Sequence, residues 1–167
     1  MLTIRTYPDE VLSIKTKPVK RIDKEFLRLV DEMFETMYEG HGVGLAAPQV
    51  GESVRVCVLN CTGKKEDEVV LINPVIVESG GEHTDEEGCL SVPGVRANVT
   101  RAAQIKVKAY DRHGRAVELE ADGLHARCIQ HELDHLNGRL FFQRLNDAAR
   151  MTINAQLKEL EADFEAE

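Results

Sequence analysis

At Gln130-His131-Glu132-Leu133-Asp134-His135 the chain carries the pattern H-E-x-x-H. If this stretch is helical, His131 and His135 lie one turn apart, so both imidazoles project from one face and can bind the same metal ion. Glu132 stands between them, where its carboxylate can act as general base on a water molecule held by that metal. The pattern therefore predicts a metal site on a helix.

The flanking residues favour a helix at this stretch. Asp122 is a suitable N-cap, and Gly138 is a suitable C-terminal stop. An apolar stripe at helical spacing would anchor one face of the helix in a core; it comprises Ala126, Ile129, Leu133 and Leu136. The alternative interpretation is an ordinary buried helix whose two histidines are hydrogen-bonded, because the pattern alone also occurs without a metal.

The composition is that of one globular domain. The chain has 167 residues and a formal net charge of −8, which predicts a single domain over residues 1–167 and disfavours binding to DNA or other nucleic acids. It has no apolar run long enough to span a bilayer, and the first ten residues lack the apolar core of a signal peptide. We therefore expect a cytoplasmic protein without a membrane segment, whose four cysteines are thiols or ligands rather than disulfides.

Periodicity predicts helices on both sides of a group of strands. The first helix should span about Lys24 to Glu39, with Asp23 as its cap, and the last should span about Asp147 to Phe164. Residues 105–109 and 117–121 alternate apolar and polar positions around a turn cluster, which indicates a β-hairpin. Two further strands are predicted at 54–59 and at 69–77, the second with a bulge or edge position at Asn73-Pro74.

Two stretches before the H-E-x-x-H helix are candidate parts of a site. Gly42-Val43-Gly44-Leu45-Ala46-Ala47-Pro48-Gln49 is rich in small residues that allow close backbone approach, and it is either a tight connection or a substrate-binding loop. A catalytic metal usually has three protein ligands, yet no histidine follows His135. Cys89, expected in a rigid loop between Gly88 and Pro93-Gly94, is a candidate for the third ligand.

Three blocks together resemble the peptide deformylase family. They are Gly42-Val43-Gly44-Leu45-Ala46-Ala47-Pro48-Gln49, then Glu87-Gly88-Cys89-Leu90-Ser91, then Gln130-His131-Glu132-Leu133-Asp134-His135, and they occur in that family's order. The resemblance implies a compact α+β fold in which antiparallel strands pack around the central H-E-x-x-H helix. It also implies hydrolysis of the N-formyl group on the initiator methionine of nascent polypeptides, with release of formate.

The resemblance also implies a role for each matching residue. One divalent metal ion, Fe²⁺ by preference with Zn²⁺, Ni²⁺ or Co²⁺ as substitutes, would be held by Cys89, His131 and His135. A water on the metal would attack the formyl carbon while Glu132 acts as general base and then as general acid. The side chain of Gln49 and the backbone N–H of Leu90 would stabilise the oxyanion.

Substrate contacts are expected along the same blocks and on the helix. By resemblance the peptide would meet Val43, Gly44, Glu87 and Gly88. Leu124 and Cys128 lie on the His131 face of the helix and should line the methionine pocket. Arg127 is either a further pocket residue or a surface charge. Glu87 and Asp134 are also candidate acceptors for a ligand imidazole, for Arg96 or for Arg101.

Two other classes of protein share part of these features. A metallopeptidase of the H-E-x-x-H type, acting on unblocked peptides, would need neither Cys89 nor Gln49. A metal-binding protein without activity would need no Glu132. For the deformylase interpretation we expect formyl-methionyl nascent chains as the partner, a monomer, and at most weak association with ribosomes, because the C-terminal segment is acidic.

Overall fold

The computed structural model describes residues 2–167, in which helices and antiparallel strands combine in the α+β fold that the resemblance implies. Its strands and helices, in chain order, are α1 (Lys24–Glu39), β1 (Gly44–Ala46), β2 (Val56–Leu59), β3 (Val69–Gly80), β4 (His83–Cys89), β5 (Val92–Arg101), β6 (Gln104–Tyr110), β7 (Ala116–Asp122), α2 (Gly123–Leu136), α3 (Asp147–Met151) and α4 (Asn154–Ala166). All paired strands are antiparallel. Five form a sheet in the order β1-β2-β3-β6-β7, and β4 and β5 form a separate hairpin.

Helix α2 carries the H-E-x-x-H pattern and lies between the two sheets. From Ala126 to Leu136 every residue is buried except the half-buried Gln130. The predicted apolar stripe is confirmed, since Ala126, Ile129, Leu133 and Leu136 all lie in one buried cluster with strands of the large sheet. The opposite side of the helix is buried as well, by β5 and Phe141. Gly138 follows the end of the helix with a φ of 74°, a left-handed conformation that suits glycine. Asp122 occupies the N-cap position, but its side chain makes no capping hydrogen bond.

The first helix and the strands of the large sheet agree with the patterns in the sequence. Helix α1 has the predicted bounds, and the Asp23 side chain accepts a hydrogen bond from the Phe26 N–H. Strand β3 bulges where Asn73 precedes proline: Asn73 has a φ of 52°, and the register with β6 shifts between Ile72 and Val75. The Oδ1 of Asn73 accepts a hydrogen bond from the N–H of Val19 at 2.8 Å, and its Nδ2 donates to the carbonyl of Val19 at 3.0 Å.

Two expectations were wrong. Cys89 is the last residue of β4, not part of a loop. The β4–β5 hairpin was not predicted. Four of the seven β4 residues, His83 to Glu86, are exposed and polar, so the sequence of β4 shows no apolar alternation. The predicted C-terminal helix is two helices, because the chain turns at Thr152-Ile153 to bury Ile153 in a cluster with Phe142 and Leu157.

No helix in residues 2–167 is both long and apolar enough to cross a lipid bilayer.

Candidate metal site and active centre

The three candidate ligands come together from two elements. Cys89 ends β4, while His131 and His135 lie one turn apart on α2. Their ligand atoms all lie within 4.8 Å of one another, and the Cys89 Sγ is 3.3 Å from the Nε2 of His135. Within the described part of the chain, this is the one cluster of cysteine, histidine and carboxylate side chains arranged so that it could hold a metal ion.

The chemistry of these donors fits a divalent transition metal. A thiolate and two imidazoles suit iron or zinc, and three ligands leave a position open, as catalytic sites require. Burial lowers the pKa of His135 well below its ordinary value, and the neighbouring positive charge of Arg101 acts in the same direction. His135 is therefore neutral at pH 7, the form that binds a metal.

Glu87 orients the first histidine. The Nδ1 of His131 lies 2.9 Å from the Oε1 of Glu87. Burial alone would raise the pKa of Glu87, but hydrogen bonds from Arg101 and His131 outweigh it and bring that pKa to about 2. Glu87 is therefore ionised and accepts, so Nδ1 carries the proton and Nε2 is directed toward the ligand cluster. The imidazole of His131 also stacks on Phe141, with ring centroids 6.1 Å apart.

A buried ion-pair network supports the helix behind the cluster. Arg101 donates to Glu87 at 2.5 and 2.8 Å and to Asp134 at 2.9 Å, and Arg144 donates twice to Asp134 at 2.6 Å. The side chain of Arg101 is only 1% exposed. Because each charge has an opposite partner in place, the network can hold the β4–β5 hairpin in a fixed position against α2. Arg96, the other candidate partner, instead pairs with Glu86 on the surface.

Glu132 is a buried carboxyl group next to the two histidines on α2. It is 4% exposed, and burial raises its pKa to about 7, although the charge of Arg101 partly opposes the shift. Its Oε1 has no hydrogen-bond partner among the described residues. Gly44 of β1 makes room for the carboxylate, since a Cβ at Gly44 would lie 2.5 Å from the Oε2. A carboxyl with such a pKa can accept and return a proton near neutral pH.

Gln49 lies beside the metal cluster. It belongs to a short 3₁₀ turn, Ala47–Val50, that follows β1. Its Oε1 accepts from the N–H of Ala46 at 2.9 Å, while its Nε2 lies 3.6 Å from the Cys89 Sγ and 3.1 Å from the Ser91 Oγ. Leu90 follows Cys89 at the turn between β4 and β5. Both groups expected to stabilise an oxyanion are therefore next to the ligand thiol.

A cleft of about 570 Å³ opens over this centre. All seven residues expected to contact substrate line it: Val43, Gly44, Glu87, Gly88, Leu124, Arg127 and Cys128. Leu124 is 57% exposed at the rim, and Cys128 is buried. A hydrogen bond with Cys61 and burial raise the pKa of the Cys128 thiol, so it is neutral and contributes an apolar wall.

Arg127 is not a surface charge. Its side chain is 7% exposed, and it donates to Glu87, to the carbonyl of Val99 and to the carbonyl of His83. The guanidinium is thus occupied within the protein. No local pattern in the sequence indicated this role, the contact of Ser91 with Gln49 or that of Phe141 with His131, because each of these contacts joins residues from separate elements of the fold.

An α+β domain with H-E-x-x-H on a buried helix and a cysteine facing both histidines defines a class, the metal-dependent hydrolases. Comparison with known proteins gives the family. The model of the family described as polypeptide deformylase matches residues 1–151. The peptide deformylase of Chromobacterium violaceum is 52% identical over 161 residues, which cover 96% of each chain. That of Neisseria gonorrhoeae is 51% identical over 158 residues, which cover 95% of each chain.

Comparison with solved structures gives the same family. A peptide deformylase from Legionella pneumophila has a TM-score of 0.92 at 44% identity and covers 100% of this chain and 99% of its own. One from Plasmodium falciparum has a TM-score of 0.94 at 38% identity, with 98% of each chain covered. The chain belongs to the polypeptide deformylase family, and it is an enzyme, a hydrolase acting on an amide.

Proposed function

We propose that this enzyme removes the N-formyl group from the initiator methionine of nascent polypeptides and releases formate. The observation that carries the proposal is that Glu132 and Gln49 line the same cleft as Cys89 and His131, which form one cluster with His135. The relatives that are about half identical to this chain are named for the same reaction. We place the reaction in the cytoplasm, where ribosomes expose new N-termini.

Cys89, His131 and His135 would hold one divalent ion, for which we propose Fe²⁺, with Zn²⁺, Ni²⁺ or Co²⁺ able to replace it. When bound, such an ion lowers the pKa of a water molecule and polarises a carbonyl oxygen. The protein's part is to keep the donors in their binding forms. Glu87 holds the proton of His131 on Nδ1, and burial keeps His135 neutral.

Glu132 moves the proton. Its carboxylate takes a proton from the attacking water, and the carboxylic acid then gives that proton to the amine that leaves. Burial supports this exchange, because a pKa of about 7 makes both forms accessible at physiological pH. Gly44 supports it sterically by leaving the carboxylate space between β1 and α2.

Gln49 and Leu90 receive the negative charge that develops on the formyl oxygen. The Nε2 of Gln49 and the backbone N–H of Leu90 would donate to it, and removing one donor of this kind typically costs about 3–4 kcal/mol of transition-state stabilisation. The rigid setting of Gln49 supports this role, since its oxygen is already bonded to Ala46.

The methionine side chain would enter the cleft beside Leu124 and Cys128. Val43, Gly44 and Gly88 line the same cleft, where backbone groups can meet the peptide. Glu87 and Arg127 belong to its floor, but their charged groups bond each other and their neighbours. We therefore assign them to shaping the pocket rather than to direct recognition of substrate.

The main alternative is a metallopeptidase that acts on unblocked peptides. Activity on formyl-Met-Ala-Ser compared with Met-Ala-Ser separates the two, and we expect release of formate with no cleavage of the unblocked peptide. Cleavage of Met-Ala-Ser at a comparable rate would refute the proposal. Glu132→Gln should retain its metal content and lose turnover, which also excludes a purely metal-binding role.

Ligation is tested separately. Cys89→Ser should lose most of its bound metal, whereas Cys61→Ser, outside the ligand cluster, should keep it. Metal content is measured by elemental analysis after anaerobic purification. Full metal occupancy in Cys89→Ser would remove Cys89 from the ligand set.

We propose a monomer that associates weakly with ribosomes. The segment from Asp147 to Glu167 carries two basic and six acidic residues. One of the two basic residues, Arg150, lies over the ring of Phe142 at 4.7 Å, so it is already engaged within the protein. Repulsion from rRNA phosphates should therefore oppose docking of this segment.

A further inference from the structure

Ser91 is a buried polar residue to which the mechanism above gives no task. It is 0% exposed and lies one residue after Leu90, at the end of the turn between β4 and β5. Its hydroxyl is 3.1 Å from the Nε2 of Gln49, which donates to it. The only other polar contact of that nitrogen among the described residues is the weaker one to the Cys89 Sγ, at 3.6 Å.

The carboxamide of Gln49 is held at both ends. At one end, the Oε1 accepts from the N–H of Ala46 at 2.9 Å, which determines which end of the amide is oxygen. At the other end, the Nε2 carries two hydrogens. Donating one of them to Ser91 fixes the plane of the amide, so the second hydrogen has one direction left, on the side of the metal cluster.

The backbones of Gln49 and Ser91 are tied to the same N-terminal segment. The N–H of Arg5 donates to the carbonyl of Gln49, and the N–H of Tyr7 donates to the carbonyl of Ser91, both at 2.7 Å. Because the two donors belong to alternate residues of one short segment, they limit movement of Gln49 relative to Ser91. The hydroxyl therefore acts from a stationary position.

We propose that Ser91 is a positioning residue for the reaction: its hydroxyl orients the Gln49 carboxamide so that the second N–H, whose one other contact among the described residues is the weak one to the Cys89 Sγ, points to the oxyanion. This inference rests on the proposed role of Gln49 in the function above. Loss of an oxyanion donor typically lowers kcat by about 100- to 1,000-fold. Misorientation without loss of the donor should cost less, and we expect about a 10-fold decrease in kcat for Ser91→Ala, with KM almost unchanged.

A double-mutant cycle tests the inference. Ser91→Ala, Gln49→Ala and the double variant are assayed on a formyl-methionyl peptide, with metal content and melting temperature measured for each. We expect the double variant to match Gln49→Ala, because Ser91 acts only through Gln49. All variants should retain full metal content. Ser91→Thr keeps an acceptor oxygen and should recover activity relative to Ser91→Ala. Should Ser91→Ala fail to fold, Ser91→Gly removes the same hydroxyl and takes its place in the cycle.

Thr36→Val is the matched control, since it also removes a buried hydroxyl, one that donates only to the carbonyl of Glu32 at 2.8 Å within α1. It should leave kcat unchanged. Wild-type kcat in Ser91→Ala, or a loss that adds in full to that of Gln49→Ala, would overturn the inference while leaving the proposed function intact. Wild-type kcat in Gln49→Ala would instead refute the proposed role of Gln49, and the inference with it.

Discussion

Replacing Gly44 by alanine tests how tightly Glu132 is packed against β1. The new Cβ would lie 2.5 Å from the Oε2, 3.0 Å from the Cδ and 3.1 Å from the Cγ of Glu132. Carbon contacts are normally about 3.5–4.0 Å, so Glu132 has to move by about 1 Å. The clash involves the whole end of a buried side chain, which cannot swing into solvent.

A displacement of that size typically costs about 100-fold in rate, which corresponds to about 2.7 kcal/mol in the activation free energy. Overpacking of this kind also lowers the free energy of unfolding by about 1–3 kcal/mol. We therefore expect Gly44→Ala to fold, to keep its metal, and to lose about 100-fold in kcat on a formyl-methionyl peptide.

Gly80→Ala is the matched control. Gly80 ends β3, its φ lies outside the left-handed region, and nothing lies within 4 Å of a Cβ built there. It should keep both kcat and melting temperature. If Gly44→Ala, fully loaded with metal, turned over at the wild-type rate, the proposed need for Glu132 at its observed position would be refuted.

Three further predictions concern stability, oxygen and partners. Arg101→Leu should lower the free energy of unfolding in urea by about 3–5 kcal/mol, because it leaves two buried carboxylates short of a partner. Arg96→Leu, which breaks an exposed pair, should change the same quantity by less than about 1 kcal/mol. Equal effects of the two substitutions would show that the buried network is not stabilising. Activity of the Fe²⁺ form should decay in air through oxidation of the metal or of Cys89 and should persist under argon, with the Ni²⁺ form decaying more slowly; identical half-lives would contradict this. Deleting residues 162–167, all of them exposed, should change neither turnover nor sedimentation with ribosomes at low salt. Tight ribosome binding that disappears on deletion would refute the proposed repulsion between the acidic C-terminal segment and rRNA.

The amino-acid sequence by itself determined the local structure of the core elements. The bounds of α1, the hairpin of β6 and β7, and the bulge at Asn73 all follow from patterns within a few residues: a cap, an alternation, an asparagine before proline. It also indicated the chemistry of the site, because H-E-x-x-H places two imidazoles and a carboxylate on one helical turn. The blocks around Gln49 and Cys89 identified the family, although no short-range rule brings them to that helix.

Only the tertiary structure decided what surrounds those groups. Strand β4 has no apolar alternation, and it exists as a strand because it hydrogen-bonds to β5 and the inner face of the hairpin meets α2. Arginine is usually a surface residue, yet Arg127 is buried. Carboxylate and carbonyl partners from the hairpin offset the cost of removing its charge from water. The pKa of Glu132 near 7 and the orientation of Gln49 by Ser91 depend likewise on desolvation and on contacts between distant segments. Such quantities are properties of a packed interior, so they arise only once the chain has folded.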